Sequence, residues 1–237
     1  MRAALAFSLL LLACAEDPGK DKPKATVADA PPMEPARNVE PAKAPAGPTV
    51  TLAVDAARSK IEALGAKITA THPINFPVFQ GKVALTGADI SAVSFEVDMN
   101  ALVADAEKLT THLKNEDFFD VAKFPTATFQ SNAVTAGASE PGATHTVSGD
   151  LSLHGVTKRI SFPAKLKIEG TEVTANSEFV LNRKDFGIVY AGKADDLIQD
   201  NVRMTIAFAA TAPGAAAPTG TAAPAAAAPA APAAPAH

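Results

Sequence analysis

The chain has 237 residues, 47% of them hydrophobic, with 21 basic and 25 acidic side chains, a net charge of −4 and a single cysteine. A mild negative charge without a basic cluster excludes nucleic acid and polyanions as main partners. One cysteine excludes an internal disulfide framework, so a folded domain here must rest on an apolar core.

In chain order, Arg2 precedes an apolar run of 11 residues, Ala3 to Ala13, interrupted only by Ser8. That is too short for a helix across a bilayer core of roughly 30 Å, and it reads as a signal peptide spanning 1–14. It ends Leu11-Leu12-Ala13-Cys14, which resembles the bacterial lipobox. The resemblance implies an acylated Cys14 as lipid anchor and mature N-terminus, firm enough to hold the chain on a membrane. Ala15 follows it in place of the aspartate of inner-membrane retention signals. The expected location is therefore the bacterial cell envelope, outer membrane rather than inner, with the domain facing the periplasm.

Residues 15–49 hold eight prolines and eight alanines, no aromatic residue and scattered charges. Such a segment buries too little apolar surface to offset its ordering entropy, and a disordered linker is expected. Residues 50–211 differ in kind, with 11 of the 12 phenylalanines and five prolines. That is one domain, long enough to bury about 70% of its unfolded surface.

Within it, alternation of period two dominates. Candidate strands lie at 50–55, 59–71, 79–86, 93–99, 126–135, 147–153, 156–168, 173–181 and 202–208. The pattern is clearest from Val156 to Ile168, where Ile160, Phe162, Ala164 and Leu166 alternate with Arg159, Ser161, Pro163 and Lys165. Pro163 lacks a ladder donor and predicts a bulge or an open stretch. Between Ala104 and Lys114 the spacing turns helical, with Ala106, Leu109 and Leu113 on one face. Strands apolar on one face fit an all-β antiparallel sheet, which closes most economically as a barrel of about eight strands. Residues 212–237, of which 15 are alanine and six proline, are expected to be a disordered tail.

A barrel of eight strands is either filled by its side chains or has room for one slender ligand. The inward positions mix large residues (Phe95, Phe162, Phe179, Phe208) with small ones (Gly149, Ala164, Ala175, Ser177), and alternation leaves both outcomes open. His72, His112 and His154 are too far apart in sequence to pair locally as metal ligands. No nucleophile elbow, phosphate-cradling loop or acid–base pair is evident. No metal, no cofactor and no catalytic residue is therefore expected. Arg183 and Asp185 admit two readings: contacts to a ligand headgroup, or a turn in which Asp185 caps backbone donors and Arg183 pairs with a carboxylate such as Asp117.

Three blocks carry a more specific signal: Thr111-His112-Leu113-Lys114-Asn115-Glu116-Asp117-Phe118-Phe119-Asp120 with Lys123-Phe124-Pro125 and Phe129-Gln130-Ser131; Gly149 to Lys158; and Asn182-Arg183-Lys184-Asp185-Phe186-Gly187-Ile188 with Asp200, Val202 and Met204. In this order and spacing they resemble the YceI-like polyisoprenoid-binding family across essentially all of 50–211. The resemblance implies a lipocalin-like barrel of eight antiparallel strands with one helix. It also implies a lumen that takes an isoprenoid chain of the polyprenyl or quinone kind, the bound lipid being the expected ligand. The residues then expected against that chain are Phe79, Phe95, Val97, Met99, Phe129, Val147, Leu151, Leu153, Phe162, Leu166, Phe179, Met204, Ile206 and Phe208, with His112, Arg183 and Asp185 at the mouth. Two places depart from the family pattern: Leu109 and Thr110 replace an Arg-Asp pair, and Asn75-Phe76-Pro77-Val78-Phe79-Gln80-Gly81 replaces a glycine-rich approach.

Overall fold

The structure, a computed structural model, describes residues 16–30 and 48–212. Cys14 with its signal segment, much of the spacer and the Ala/Pro tail beyond 212 lie outside the described residues. The strands are β1 (Thr26–Asp29), β2 (Thr49–Val54), β3 (Lys60–Ala66), β4 (Thr71–Asn75), β5 (Phe79–Thr86), β6 (Asp89–Asp98), β7 (Val103–Ala104), β8 (Thr126–Ala136), β9 (His145–Leu153), β10 (Val156–Glu169), β11 (Glu172–Asn182), β12 (Gly192–Lys193), β13 (Asp196–Leu197) and β14 (Asn201–Thr211). The α-helix among the described residues is α1 (Glu107–Lys114).

Eight strands close an antiparallel barrel in the order β10-β9-β8-β6-β5-β2-β14-β11, with β11 returning to β10. The seam at β2 is short. It meets β14 through Ala210↔Val54 and Thr211↔Ala53 only. Asp55 then caps a turn by accepting from the Ala57 amide at 3.0 Å, and the chain re-enters as β3 along Arg203–Ala207 of β14. The irregular run expected at 59–71 is thus a hairpin, β3 with β4, extended at its edge by β7.

Alternation sorts the side chains as expected. Along β10, Ile160, Phe162, Ala164 and Leu166 are buried while Lys165 and Lys167 face water. Pro163 sits in register with Thr146 of β9. Its carbonyl accepts from the Ser177 hydroxyl at 2.6 Å, so the edge lacking a donor faces β11, where pairing with β10 begins only at Lys165. The open stretch is there, without a bulge.

That opening explains the largest departure from the sequence expectation. Above it β10 and β11 diverge, and β1 fills the gap, pairing Thr26–Asp29 with Lys158–Ser161. The Val180 carbonyl accepts from Ala25 at 2.9 Å, and the Val180 amide donates to Pro23 at 2.9 Å. Part of the segment expected to be a disordered linker is therefore barrel wall. The reason is local: unpaired backbone edges on β10 and β11 demand partners, and averaging composition over 15–49 hides four extended residues. The helix also starts later than expected, at Glu107 rather than Ala104. Ala104 belongs to β7, and its amide donates at 2.9 Å to the Thr110 hydroxyl, which also bonds the Ala106 carbonyl at 3.1 Å.

Candidate functional site

Inside the barrel lies a cavity of about 580 Å³. One end is plugged: Leu52, Val83 and Val173 are each 0% exposed, and none of them borders the cavity. At the other end the wall includes α1, the β3–β4 turn and the segment from Ile188 to Gln199. Lys108 and Lys193 border the cavity there and are also exposed, so the mouth opens between α1 and the β12–β13 hairpin.

The strands deliver the walls because inward residues recur every second position. Phe95, Val97, Met99, Phe129, Val147, Leu151, Leu153, Phe162, Leu166, Phe179, Met204, Ile206 and Phe208 all border the cavity. Phe162 and Phe179 stack at 4.3 Å between centroids and 13° between planes, Phe129 leans on Phe162 at 5.7 Å, and Phe95 meets Phe208 edge-on at 5.3 Å. Phe79 does not border the cavity. It is buried against Phe95 at 6.3 Å, which takes the wall position in its place. Two glycines make room for these rings. A Cβ on Gly149 would stand 2.5 Å from the Gln130 carbonyl oxygen and 2.6 Å from the Phe129 ring, and one on Gly81 would stand 2.6 Å from Phe95.

Sequence reasoning missed part of the wall. Ile61, Ala63 and Ile74 of the β3–β4 hairpin border the cavity, as do Phe118, Phe119, Ile188 and Tyr190 from the loops. In Ile61-Glu62-Ala63-Leu64 the small inward alanine and an outward leucine blur the alternation, so the strand expected there did not show which of its residues face the lumen. Loop residues carry no periodic signal at all. Leu109, at the first departure from the family pattern, also borders the cavity, while Thr110 closes the turn into α1.

Polar side chains gather at the mouth, and most are already engaged. The His112 Nε2 lies 3.1 Å from Asp117, and its ring stands edge-on to Phe118 and Tyr190 at 5.0 and 5.1 Å. His72 lies 3.0 Å from Asp105, and His154 lies 3.1 Å from the Phe186 carbonyl. The three histidines thus have three separate partners, and among the described residues no His/Cys/Asp/Glu group is placed to hold a metal. Arg183 is 6% exposed. It donates to the carbonyls of Ile188 (2.7 Å), Gln199 (3.1 Å) and Ile198 (3.4 Å) and to Asp200 (3.1 Å). Burial pulls its pKa below the usual guanidinium range, and the Asp200 carboxylate opposes that. Its partner is Asp200, not Asp117, because the strands β11 and β14 bring Asn182 opposite Asn201. Asp185 does not border the cavity, and the turn is capped by Asn182, which accepts from the Lys184 amide at 2.9 Å. Opposite, Lys67 pairs with Asp196. That pair, with hydrogen bonds from Thr69, holds the Asp196 carboxyl below the usual carboxylate range.

A one-ended apolar tube with this strand order can be compared with known proteins. The model of the YceI-like domain matches residues 52–210. The chain belongs to this family. A UPF0312 protein of Pseudomonas putida strain W619 is 35% identical over 121 residues, covering 48% of this chain and 62% of the relative. One of Shewanella denitrificans is 34% identical over 123 residues, again 48% and 62%. The matched region thus spans less than two thirds of those relatives. Among solved structures, Burkholderia cenocepacia BcnA superposes with a TM-score of 0.58 at 22% identity, over 67% of this chain and 99% of BcnA. A polyisoprenoid-binding domain from Saccharophagus degradans superposes at 0.54 and 16% identity, over 68% and 98%. At those identities the likeness establishes the shared YceI-like fold.

Proposed function

We propose that this YceI-like chain is a lipid-anchored envelope protein that holds or carries one isoprenoid-like chain in its lumen without changing it chemically. The observation that carries the reading is the cavity of about 580 Å³ walled by Phe, Val, Leu, Ile and Met. Its size falls within the roughly 300–1,000 Å³ typical of small-molecule sites. An apolar tube rewards contact area, about 0.8 kcal/mol for each methylene buried, and polar side chains that border it, such as Ser177 and His112, are already hydrogen-bonded to Pro163 and Asp117. A filled barrel would leave no such volume. The ligand class is supported by the shared fold with a domain described as polyisoprenoid-binding. The anchor is acylated Cys14, and the domain faces the periplasm from the outer membrane.

The test is organic extraction of the purified protein followed by mass spectrometry, with titration of a polyprenol and a long-chain quinone into delipidated protein. A stoichiometric isoprenoid, or saturable uptake of either ligand, is the expected result. An empty extract together with no uptake would overturn the reading. Mass spectrometry of the mature N-terminus, expected to find a lipid-modified Cys14, tests the anchor separately.

A further inference from the structure

Ile68, Val189 and Leu197 are 40%, 65% and 45% exposed, and their chain neighbours Lys67, Ile188, Tyr190, Asp196 and Ile198 border the cavity at its open end. Their placement is held by backbone bonds. The Ile68 amide donates to the Leu197 carbonyl at 3.1 Å, Leu197 pairs with Gly192 in the β12–β13 hairpin, and Thr69 bonds Asp196 through both its amide and its hydroxyl. Arg183, buried beneath this segment, holds the carbonyls of Ile188 and Ile198, one residue from Val189 and one from Leu197. The apolar side chains are thus presented outward by a braced rim, where water hydrates them at a cost.

The amino-terminal segment arrives at the same end. Asp17 accepts from the Asn201 side chain at 3.0 Å, at the start of β14, opposite Asn182. Asp29, at the other end of the segment, pairs with Lys158 beside the β9–β10 turn, where His154 meets the Phe186 carbonyl. Cys14 precedes Asp17 by three residues, roughly 11 Å of chain at full extension. Chain length alone therefore limits a group attached at Cys14 to that distance from Asp17.

From these two independent features we propose that the mouth rim is a bilayer-docking face, so that the barrel sits mouth-first on the membrane and an apolar chain passes between bilayer and lumen without crossing water. Ile68, Val189 and Leu197 enter the interfacial layer. The hairpin and the β3–β4 turn clasped to it supply no net charge to attract anionic lipid, because Lys67 neutralises Asp196 and Lys193 offsets Asp195 in formal charge. The docking is therefore apolar and works on zwitterionic lipid. It rests on the lumen-ligand reading for its purpose, but not for its test.

The chain contains no tryptophan and one cysteine, which makes the test direct. The full chain is coupled through Cys14 to a maleimide lipid in phosphatidylcholine vesicles, so the outcome does not depend on natural acylation. Single reporters are introduced as Val189→Trp at the mouth and Thr171→Trp in the β10–β11 turn at the plugged end. Chain-brominated lipid is expected to quench the first several-fold more than the second, equally at low and high salt. Equal quenching, or stronger quenching at 171, overturns the proposal. Ile68→Asp with Leu197→Asp, both at exposed positions, is expected to abolish the quenching in the Val189→Trp chain while the tether remains. Quenching that persists in a variant with unchanged circular dichroism overturns it as well. Polyprenol uptake by the untethered chain is read separately. Uptake without a quenching difference removes the docking face alone, and a quenching difference without uptake upholds docking while removing the lumen reading.

Discussion

At the residue scale, the lumen depends on positions where something small stands beside something large. Gly149 lies under Phe129, and the approach includes a backbone carbonyl that cannot rotate away. Gly149→Ala is therefore expected to cost about 1–3 kcal/mol, the usual penalty for overpacking. A urea-unfolding midpoint equal to that of the parent protein would contradict it. Arg183 shows the opposite economy. A buried cation keeps its charge because three carbonyls and a carboxylate surround it, and fixing the loop is its structural work. The arginine was legible in the sequence as a special position, but its partner was not. A turn sequence does not reveal which carboxylate a distant strand will bring within reach.

Two elements carry consequences of their own. β1 completes the wall where β10 and β11 part, with Val27 packed against the core. Val27→Asp would place a charge against that core and is expected to cost about 1–2 kcal/mol. Faster amide exchange confined to Lys158–Ser161 would locate the damage, and unchanged exchange there would refute the role given to β1. The clasp between the β3–β4 turn and the β12–β13 hairpin depends on the ionised Asp196. Lys67 and then Thr69 hold that carboxyl below its ordinary range, so its contribution is complete above the ordinary carboxylate range. It is lost as pH falls through the depressed folded value. The Ile68 amide resonance is expected to titrate over that acid window in the parent protein and to stay flat in Asp196→Asn. A titration shared by both would assign it elsewhere. Neither element was visible as such beforehand: β1 is four residues long and β13 two, below the length at which periodicity speaks.

For the whole molecule the deciding question is whether the barrel is filled or hollow. Ala175 borders the cavity deep in the lumen, paired in register with Phe208. In a solid core, Ala175→Phe would cost about 1–3 kcal/mol of stability. In a hollow one the ring occupies ligand space, so we expect polyprenol affinity to fall at least tenfold with the unfolding midpoint hardly moved. Denaturation and ligand titration of the same variant separate the two outcomes.

The sequence by itself determined the antiparallel β class, the inward and outward faces of strands such as β10, and many of the large apolar wall residues those strands contribute. That much follows from a two-residue period, a property of each strand alone. Only the tertiary structure decided that the lumen is open and about 580 Å³ in volume. It alone placed Phe79 behind Phe95, gave Arg183 to Asp200 and drew the amino-terminal segment into the wall. These depend on how strands tilt, diverge and close across long sequence separations. Whether facing side chains meet or leave a gap is a property of the closed barrel and of no strand within it.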